Sequence, residues 1–579
     1  MTPSRSPEPD RATRPAPHST QRVSPGRYPE SLTRHLIQLQ RDGFLANLRQ
    51  RRTDLWNPDP AHQAVAANRL GWVDPLSLIE LHAAQLTDWA REARARHDAF
   101  VLLGMGGSSL APEVIARVAA APADAARFTM LDSTDPDAIA AIVARTEAGA
   151  PLYLVSSKSG GTVETRSHAE FFFAREAALR PDPGRSFVAI TDPDSPLARL
   201  SRDRKFAHVF LNAPDIGGRY SALSLVGLVP AALLGLAPST IAERVSAMMA
   251  ACAPDAPTYE NPALVLGALM AVSALNNADK LTLVTSPALA PFAAWVEQLI
   301  AESTGKDGRG IIPVAGEALD RVTTGNDRCV VALTLQGDHD PTLTKTLDAL
   351  RASHTPLVEI VLPDRLAVFG EFYKWEVATA VAASLLKVDP FDEPNVKESK
   401  DMTAAILAQV EKTGRLPIGP VAAETDRLAI WSFAPQPSVE AVLRAFFAAV
   451  KPPMYVSVLG YLNPGPGVEL AIARLRQAIG AARGVPTLFG WGPRYLHSIG
   501  QLYKGGPPSG AFLILTTDHA AAQAIPNAPY TFGQLELAQA LGDLEALAKH
   551  TRPAIRVHLK GDLAAALADL EKAINAALK

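Results

Sequence analysis

The chain has 579 residues, of which 47% are hydrophobic, so it is long enough to form two or more globular domains. Its formal net charge of −3 argues against nucleic acid as the main partner. Cys252 and Cys329 are the only cysteines, which excludes a disulfide framework and indicates a reducing compartment. The 13 histidines and the cysteines show no metal-ligand spacing, so we expect no metal site.

Residues 1–30 are rich in Pro, Ser and Arg and lack the apolar stretch of a secretion signal, which predicts a disordered tail. The longest apolar run, Leu223–Leu236, is shorter than the roughly 20 residues that a membrane span needs. It also contains Pro230. We therefore expect no membrane partner and a cytoplasmic location.

A helical leader is predicted over residues 31–97, because Ser31–Arg51 and Asp74–Arg94 have amphipathic patterns. Strands and helices then alternate over residues 98–260, which predicts an α/β domain with a doubly wound parallel sheet. The predicted strands of this first domain are Phe100–Leu103, Phe128–Leu131, Leu152–Val155, Ser186–Ile190 and His208–Leu211.

A second α/β domain of the same kind is predicted over residues 261–579, with an insertion near 411–480. Its predicted strands are Lys280–Val284, Val330–Leu335, Leu357–Leu362, Met454–Leu459 and Ala511–Leu515.

The stretch from Ser156 to Thr165 joins a buried strand to a helix, so it should lie at the carboxyl edge of the first sheet. Helix N-termini at that edge present unpaired N–H groups and a positive dipole end to an anion. The backbone at Gly160-Gly161 can close around a phosphate, although the same residue types also cap helices. No Gly-Lys-Ser/Thr follows, so this is not a Walker loop. The hydroxyls that could bind a monoester phosphate are those of Ser157, Ser159, Thr162 and Thr165.

The turn after the first strand contains Gly104-x-Gly106, as dinucleotide-binding loops do. Ser109 stands where the third glycine would be, so we expect no nucleotide. Either this is a tight strand–helix turn, or Gly107 and Ser108 form a second wall that faces the phosphate loop.

Two charged residues lie in apolar surroundings. Arg219 stands at the mouth of the apolar helix segment and needs a partner, which an ordinary salt bridge could supply. Glu302 lies about 20° from Trp295 around a predicted helix, on its apolar face and in its last turn. Both burial and the dipole should raise the pKa of Glu302, as a base near neutrality requires. The alternative is an ordinary charged residue at a helix end.

Lys400 falls within a partly apolar helix stripe, so its side chain either extends to the surface or points into a site. His497 stands among turn residues and could carry a proton near pH 7. A satisfied structural histidine is the alternative.

Together these stretches resemble the phosphoglucose isomerase family, and the resemblance covers most of residues 98–579. The leader and Tyr495–Gly506 resemble more closely the isomerase half of bacterial transaldolase–isomerase fusions. The resemblance implies two doubly wound parallel-sheet sugar-isomerase domains. The motifs in family order are Gly104–Ser109, Ser157–Thr165, Gly217–Ser221, Glu302–Lys306 and Phe391–Lys400.

This resemblance implies reversible aldose–ketose isomerisation of glucose 6-phosphate and fructose 6-phosphate through a cis-enediol, in glycolysis and gluconeogenesis. It implies no cofactor and a homodimer. Glu302 resembles the base that moves a proton between C1 and C2, and Arg219 the cation that stabilises the enediolate. Lys400 and His497 resemble the residues that handle ring opening. The residues that resemble the phosphate binders and the loop beside them are Ser157, Ser159, Thr162, Thr165, Ser108 and Gly107.

One departure concerns His497, which follows Lys400, whereas in typical members the histidine motif precedes the lysine motif. An insertion or rearranged connection must therefore bring it back. In the family this histidine comes from a neighbouring subunit. Two alternatives to the main function remain: an isomerase that accepts mannose 6-phosphate, and a noncatalytic phosphosugar-binding protein. The presence of Glu302, Arg219 and Lys400 together favours catalysis.

Overall fold

The computed structural model describes residues 18–323, 325–432, 436–520 and 522–579. Its strands are β1 (Thr20–Ser24), β2 (Ala99–Gly104), β3 (Phe128–Leu131), β4 (Pro151–Ser156), β5 (Phe187–Thr191), β6 (His208–Leu211), β7 (Lys280–Thr285), β8 (Ile312–Ala315), β9 (Arg328–Leu335), β10 (Leu357–Leu362), β11 (Ala423–Glu424), β12 (Leu428–Trp431), β13 (Tyr455–Gly460), β14 (Thr487–Trp491), β15 (Gly510–Thr517) and β16 (Ala554–Leu559).

The helices are α1 (Pro29–Arg41), α2 (Phe44–Arg49), α3 (Pro60–Ala67), α4 (Pro75–Arg96), α5 (Gly107–Val114), α6 (Pro122–Ala125), α7 (Pro136–Thr146), α8 (Val163–Leu179), α9 (Pro196–Asp203), α10 (Leu225–Leu233), α11 (Pro238–Ala251), α12 (Pro262–Leu275), α13 (Ala290–Thr304), α14 (Leu319–Val322), α15 (Pro341–Ala352), α16 (Val368–Leu386), α17 (Val396–Thr413), α18 (Val439–Ala448), α19 (Pro466–Arg483), α20 (Gly500–Gly505), α21 (Phe532–Lys549) and α22 (Leu563–Ala577). Within the described ranges, none of these helices combines the length and apolarity needed to cross a bilayer.

The first sheet is entirely parallel and has the strand order β3-β2-β4-β5-β6. All five of its strands were predicted from the sequence to within two residues at either end. Because β2 and β4 are neighbours while the chain leaves them in opposite directions, their carboxyl ends form a topological switch point. Gly104 and Ser156 pair at this edge, so the two predicted loops begin side by side.

The second sheet has the order β1-β10-β9-β7-β8, and β1 pairs antiparallel with β10. The disordered tail predicted over residues 1–30 is therefore wrong for Thr20–Ser24, which form an edge strand, and for the start of α1 at Pro29. The strand was not predicted because the alternation of polar and apolar residues in Thr20–Ser24 is short. The hydrogen bonds of β1 are supplied by the open edge of β10. Residues 1–17 lie outside the described part of the chain.

A third sheet has the order β14-β13-β15-β16-β12-β11, with β12 and β11 antiparallel to their neighbours. Residues 261–579 were predicted from the sequence to form one domain with an insertion near 411–480. The structure divides the strands of that range between the second and third sheets. The same four-strand parallel order, β8-β7-β9-β10 and β14-β13-β15-β16, occurs in both of them.

The leader helices pack mainly on other helices, α1 on α12 and α4 on α10 and α11. The predicted helix Ser31–Arg51 is interrupted at Gly43, whose φ of +62° ends α1 and starts α2. Helix α4 begins at Pro75, as predicted, and the Asp74 carboxylate accepts a hydrogen bond from the Ser77 N–H. Trp56 donates its indole N–H to the Ala380 carbonyl at 2.8 Å, which joins the leader to α16.

Helix α21 joins the third sheet to the first. Its side chains Phe532 and Leu535 belong to the same buried cluster as Val155 of β4 and Leu407 of α17. On the other side of this junction, Arg494 bonds to the carboxylates of Asp132 and Glu113 at 2.6 and 2.7 Å. These contacts place the carboxyl end of β14 beside the switch point of the first sheet.

Candidate active site

A cavity of about 330 Å³ lies at the switch point of the first sheet. Its walls include residues 105–108 after β2 and residues 156–159 after β4. Crevices at such points are the usual ligand sites of open α/β sheets. The predicted site residues that line this cavity are Gly107, Ser108, Ser157, Ser159, Thr162, Arg219, Glu302, Lys400 and His497.

The loop after β4 is held by its own hydroxyls. Ser157 Oγ accepts a hydrogen bond from the Gly160 N–H at 3.1 Å, and Ser159 Oγ accepts one from the Gly161 N–H at 3.2 Å. Thr162 precedes the first turn of α8 and its side chain makes no capping bond, so the helix N-terminus remains available to an anion.

Thr165 differs from the other predicted phosphate binders. It is buried in α8 and is absent from the residues that line the cavity. Its hydroxyl has no hydrogen-bond partner among the described residues. The phosphate-binding role of Thr165 therefore stays a prediction.

Gly107 allows the two walls to approach each other. A Cβ at this position would lie 1.9 Å from the Gly218 carbonyl oxygen, so any side chain would push the two loops apart. The loop Gly217–Ser221 can therefore bring Arg219 into the cavity beside the first sheet.

Arg219 is buried and makes several hydrogen bonds. It donates to Ser303 Oγ at 3.0 Å and to the Pro390 carbonyl at 2.6 Å. Its Nη1 lies 3.1 Å from a carboxylate oxygen of Glu393 and 3.6 Å from one of Glu302. Burial alone would lower the pKa of Arg219, but these two carboxylates outweigh it and raise the pKa. The guanidinium is therefore a permanent cation.

Glu302 lies in the last turn of α13, as the helical spacing predicted. Burial raises the pKa of Glu302 above its usual range; the charge of Arg219 opposes this effect and that of Glu393 adds to it. Gln298, one turn earlier, donates a hydrogen bond to Glu302 at 3.2 Å. This arrangement gives a carboxylate that can exchange a proton at a pH closer to 7 than an exposed glutamate can.

His497 reaches the cavity from the turn after β14. Its Nε2 lies 2.8 Å from Glu164 Oε1, and Gln539 of α21 donates to the same oxygen at 2.6 Å. Burial opposes ionisation of Glu164, but the charge and hydrogen bond of His497 lower the pKa of Glu164 to about 2. The carboxylate thus orients the imidazole ring.

The third sheet is the connection that brings His497 back to the site. Gln298 donates a hydrogen bond to the His497 carbonyl at 2.9 Å, so the turn is anchored on the helix that carries Glu302. The resemblance implied a histidine from a neighbouring subunit. In this structure His497 lines the cavity of its own chain.

Lys400 lines the same cavity from α17, and its side chain is exposed. Its ammonium has no ion pair or hydrogen bond among the described residues. Lys400 thus lines the cavity and is open to solvent at the same time, so its role in the site stays a prediction.

Two groups of acidic and histidine side chains in the described ranges are close enough to share a cation: His62, Asp389 and Asp392, and Asp135, Asp137 and His519. Neither group lines the cavity. In the first group the Lys306 ammonium lies 2.6 Å from Asp392, so a protein cation already neutralises it.

The family model described as phosphoglucose isomerase matches residues 80–326. A probable glucose-6-phosphate isomerase of Haloarcula marismortui is 30% identical, and the match covers 59% of this chain and 88% of that protein. A glucose-6-phosphate isomerase of Rubrobacter xylanophilus is 29% identical, over 54% of this chain and 82% of that protein. The chain belongs to the phosphoglucose isomerase family.

Solved structures agree with this fold. A hypothetical protein of Thermus thermophilus has a TM-score of 0.57 and 24% identity, covering 67% of this chain and all of that one. A glucose-6-phosphate isomerase of Chlamydia trachomatis has a TM-score of 0.55 and 19% identity, covering 69% of this chain and 90% of that one. The matched family segment contains both loops, Arg219 and Glu302. Lys400 and His497 lie beyond it.

The partners of the site residues that were not predicted from the sequence include Glu164, Gln298, Glu393 and Gln539. Glu164 stands in the first turn of a helix, where an acid ordinarily faces solvent and the dipole. Its only distinguishing signal is its position inside the phosphate-loop stretch. Gln539 gives no signal, because it lies 375 residues from Glu164 and meets it only through packing.

Proposed function

We propose that this protein catalyses the reversible isomerisation of glucose 6-phosphate and fructose 6-phosphate through a cis-enediol intermediate, in glycolysis and gluconeogenesis. One observation carries the proposal. A single cavity combines a hydroxyl-rich loop at a helix N-terminus, a buried carboxylate with a raised pKa, a buried guanidinium and a carboxylate-bound histidine. Family membership supports the same reaction.

The phosphate of the substrate binds at the start of α8. The backbone N–H groups of the first turn and the hydroxyls of Ser157, Ser159 and Thr162 donate to its oxygens. Ser108 faces it from the opposite loop. The phosphate does not react, so its binding energy serves to position C1 and C2 of the sugar.

Glu302 is the base that moves the proton. Its carboxylate takes the proton from C2 of the open-chain aldose and returns it to C1, while the hydroxyl proton passes from O2 to O1, which gives the ketose. Negative charge develops on the oxygens of the intermediate, and the Arg219 guanidinium stabilises it. The same two steps in reverse convert the ketose to the aldose.

His497 and Lys400 handle ring opening, which needs one proton removed from the anomeric hydroxyl and one delivered to the ring oxygen. Glu164 holds Nε2 of His497, and Nδ1 has no partner among the described residues. Nδ1 is therefore the nitrogen available to the sugar.

A coupled assay tests the function. Fructose 6-phosphate should yield glucose 6-phosphate, detected by NADPH formation with glucose-6-phosphate dehydrogenase. Glu302→Gln should lower kcat by about 10²-fold or more, the range for loss of a general base. Glu297→Gln is the matched control on α13, because Glu297 is a half-buried glutamate of the same helix that does not line the cavity. Full activity in Glu302→Gln would assign the base elsewhere.

A substrate panel separates the alternatives. Turnover of mannose 6-phosphate would extend the substrate range to the C2 epimer. Binding of the sugar phosphates without turnover in the wild-type chain would identify a noncatalytic phosphosugar-binding protein and exclude the isomerase.

We also propose a cytoplasmic location and a homodimer. Phosphorylated sugars are substrates of the reducing interior of the cell, and both cysteines are free and buried. The homodimer rests on family resemblance.

A further inference from the structure

A second cavity, of about 430 Å³, lies at the carboxyl edge of the third sheet. Thr516 and Thr517 at the end of β15 line it, together with His558 of β16 and Tyr461, which follows β13. The parallel strands β13, β15 and β16 all end at this edge. It is thus a separate crevice of the type that binds ligands in α/β sheets, and it shares no lining residue with the isomerase cavity.

Arg556 of β16 lines this cavity and is only 1% exposed. Its Nη1 donates to Thr516 Oγ1 at 3.2 Å, and its guanidinium carbon lies 3.6 Å from the ring centre of Trp431. Its Nε and Nη2 have no acceptor among the described residues, and Arg556 forms no ion pair with any described carboxylate. An unpaired buried guanidinium is costly, and burial lowers the pKa of Arg556 to about 10.

The other side of the cavity carries a second unsatisfied group. Glu536 of α21 is buried, and one of its oxygens lies 2.7 Å from His519 Nε2. Its other oxygen, Oε1, has no hydrogen-bond partner among the described residues. Arg556 and Glu536 do not bond to each other although both line the same space. A molecule between them would satisfy both.

We propose that this cavity binds a small oxyanion, a carboxylate or a phosphate, through Arg556. The fork of N–H donors on a guanidinium matches two oxygens of such a group, and the Thr516 and Thr517 hydroxyls supply further donors. A hydroxyl on the same molecule would bond to Glu536. Asp518 and Asp135 lie close to the histidines of the cavity, and their negative charge favours a ligand of low charge.

Isothermal titration of the full chain tests this site with two probes, lactate and inorganic phosphate. Inorganic phosphate should also bind the loop between β4 and α8 in the isomerase cavity. For phosphate the readout is therefore the loss of one of two binding events. Arg556→Met should weaken binding of at least one probe by about tenfold or more. Arg427→Met is the matched control, because Arg427 precedes β12 on the same sheet and pairs with Asp569 at the surface. Loss with lactate identifies a carboxylate site, and loss with phosphate alone identifies a phosphate site.

Removing an unpaired buried charge should not lower the melting temperature, so Arg556→Met should fold. Trp431→Phe gives an independent measurement. Trp431 stacks on the guanidinium, and its fluorescence should change on titration in the wild type but not in Trp431→Phe. The proposal is overturned if neither probe binds the wild-type chain beyond the isomerase loop, or if Arg556→Met and Trp431→Phe titrate like the wild type.

Discussion

The pKa of Glu302 depends on the residues around it. Its raised pKa results from burial and from Glu393, and Arg219 opposes both. The carboxylate form is the active base, so kcat/KM should fall as the pH falls through this raised pKa. The midpoint of that acid limb should therefore lie above the usual range of an exposed glutamate.

Glu393→Gln tests this assignment. It removes one negative charge near Glu302 and leaves Arg219 free to interact with Glu302 alone. Both effects lower the pKa of Glu302, so the acid limb of kcat/KM should move to lower pH, by up to about one unit for a partly exposed neighbour. Glu393→Asp keeps the charge and should leave the limb nearly in place. An acid limb that is unchanged in Glu393→Gln belongs to another group.

Glu164→Gln tests the imidazole orientation. The variant keeps the size of the side chain but loses the carboxylate that holds His497 Nε2. Turnover of cyclic fructose 6-phosphate should fall about 10–100-fold. Solvent deuterium exchange into a 5-deoxy analogue, which cannot close the ring, should change much less, because Glu302 is intact. Equal losses in both assays would contradict a role in ring opening.

Helical spacing was enough to find Glu302, because one element determines which face it occupies. Glu164 was missed because its burial depends on α21, which no local pattern links to α8. The position of a side chain is therefore predictable from the sequence where its own helix determines it. The position and burial of a side chain are not predictable where elements distant in the sequence pack around it.

At the scale of elements, the loop between β4 and α8 depends on one backbone conformation. Gly160 has a φ of +65°, and a Cβ there would lie 2.5 Å from the Leu197 backbone nitrogen. Gly160→Ala should lower the free energy of unfolding by about 1–3 kcal/mol, measured by urea denaturation. It should also raise KM for fructose 6-phosphate, since the loop must shift.

Gly161→Ala is the matched control, because its Cβ would meet only Ser159 Oγ at 3.5 Å. Its free energy of unfolding should change by less than about 0.5 kcal/mol. If the two variants are equally stable, the loop conformation is not constrained as the structure indicates.

Strand prediction was most successful in the first sheet, whereas several strands of the other two sheets were missed, the largely apolar β12 and β14 among them. The central strands β2, β4 and β5 are mostly apolar and buried, as parallel strands covered on both faces require, whereas the edge strands β3 and β6 are partly exposed. In the second sheet β8 was missed because Pro313 interrupts it, which an edge strand tolerates. In the third sheet β16 was missed because Arg556 and His558 interrupt its apolar pattern, and both line the second cavity.

On the scale of the whole molecule, the number of sheets could not be predicted from the sequence. Alternating strands and helices reveal an α/β fold but not which strands pair. The second and third sheets share one parallel strand order, so their elements have the same pattern along the chain. Only packing shows that residues after Lys400 form a separate sheet, which returns His497 to the first sheet.

This arrangement predicts that each chain completes its own site. Glu302 and His497 line one cavity of one chain, joined through Gln298. Glu302→Gln and His497→Ala should each be strongly impaired. Mixing the two variants after unfolding and joint refolding should then give only the sum of their residual activities, because every cavity retains one defect. A histidine delivered across a dimer interface would instead repair one site in each mixed dimer and restore about a quarter of wild-type activity. The coupled assay distinguishes these outcomes, and recovery near a quarter would contradict the intrachain site.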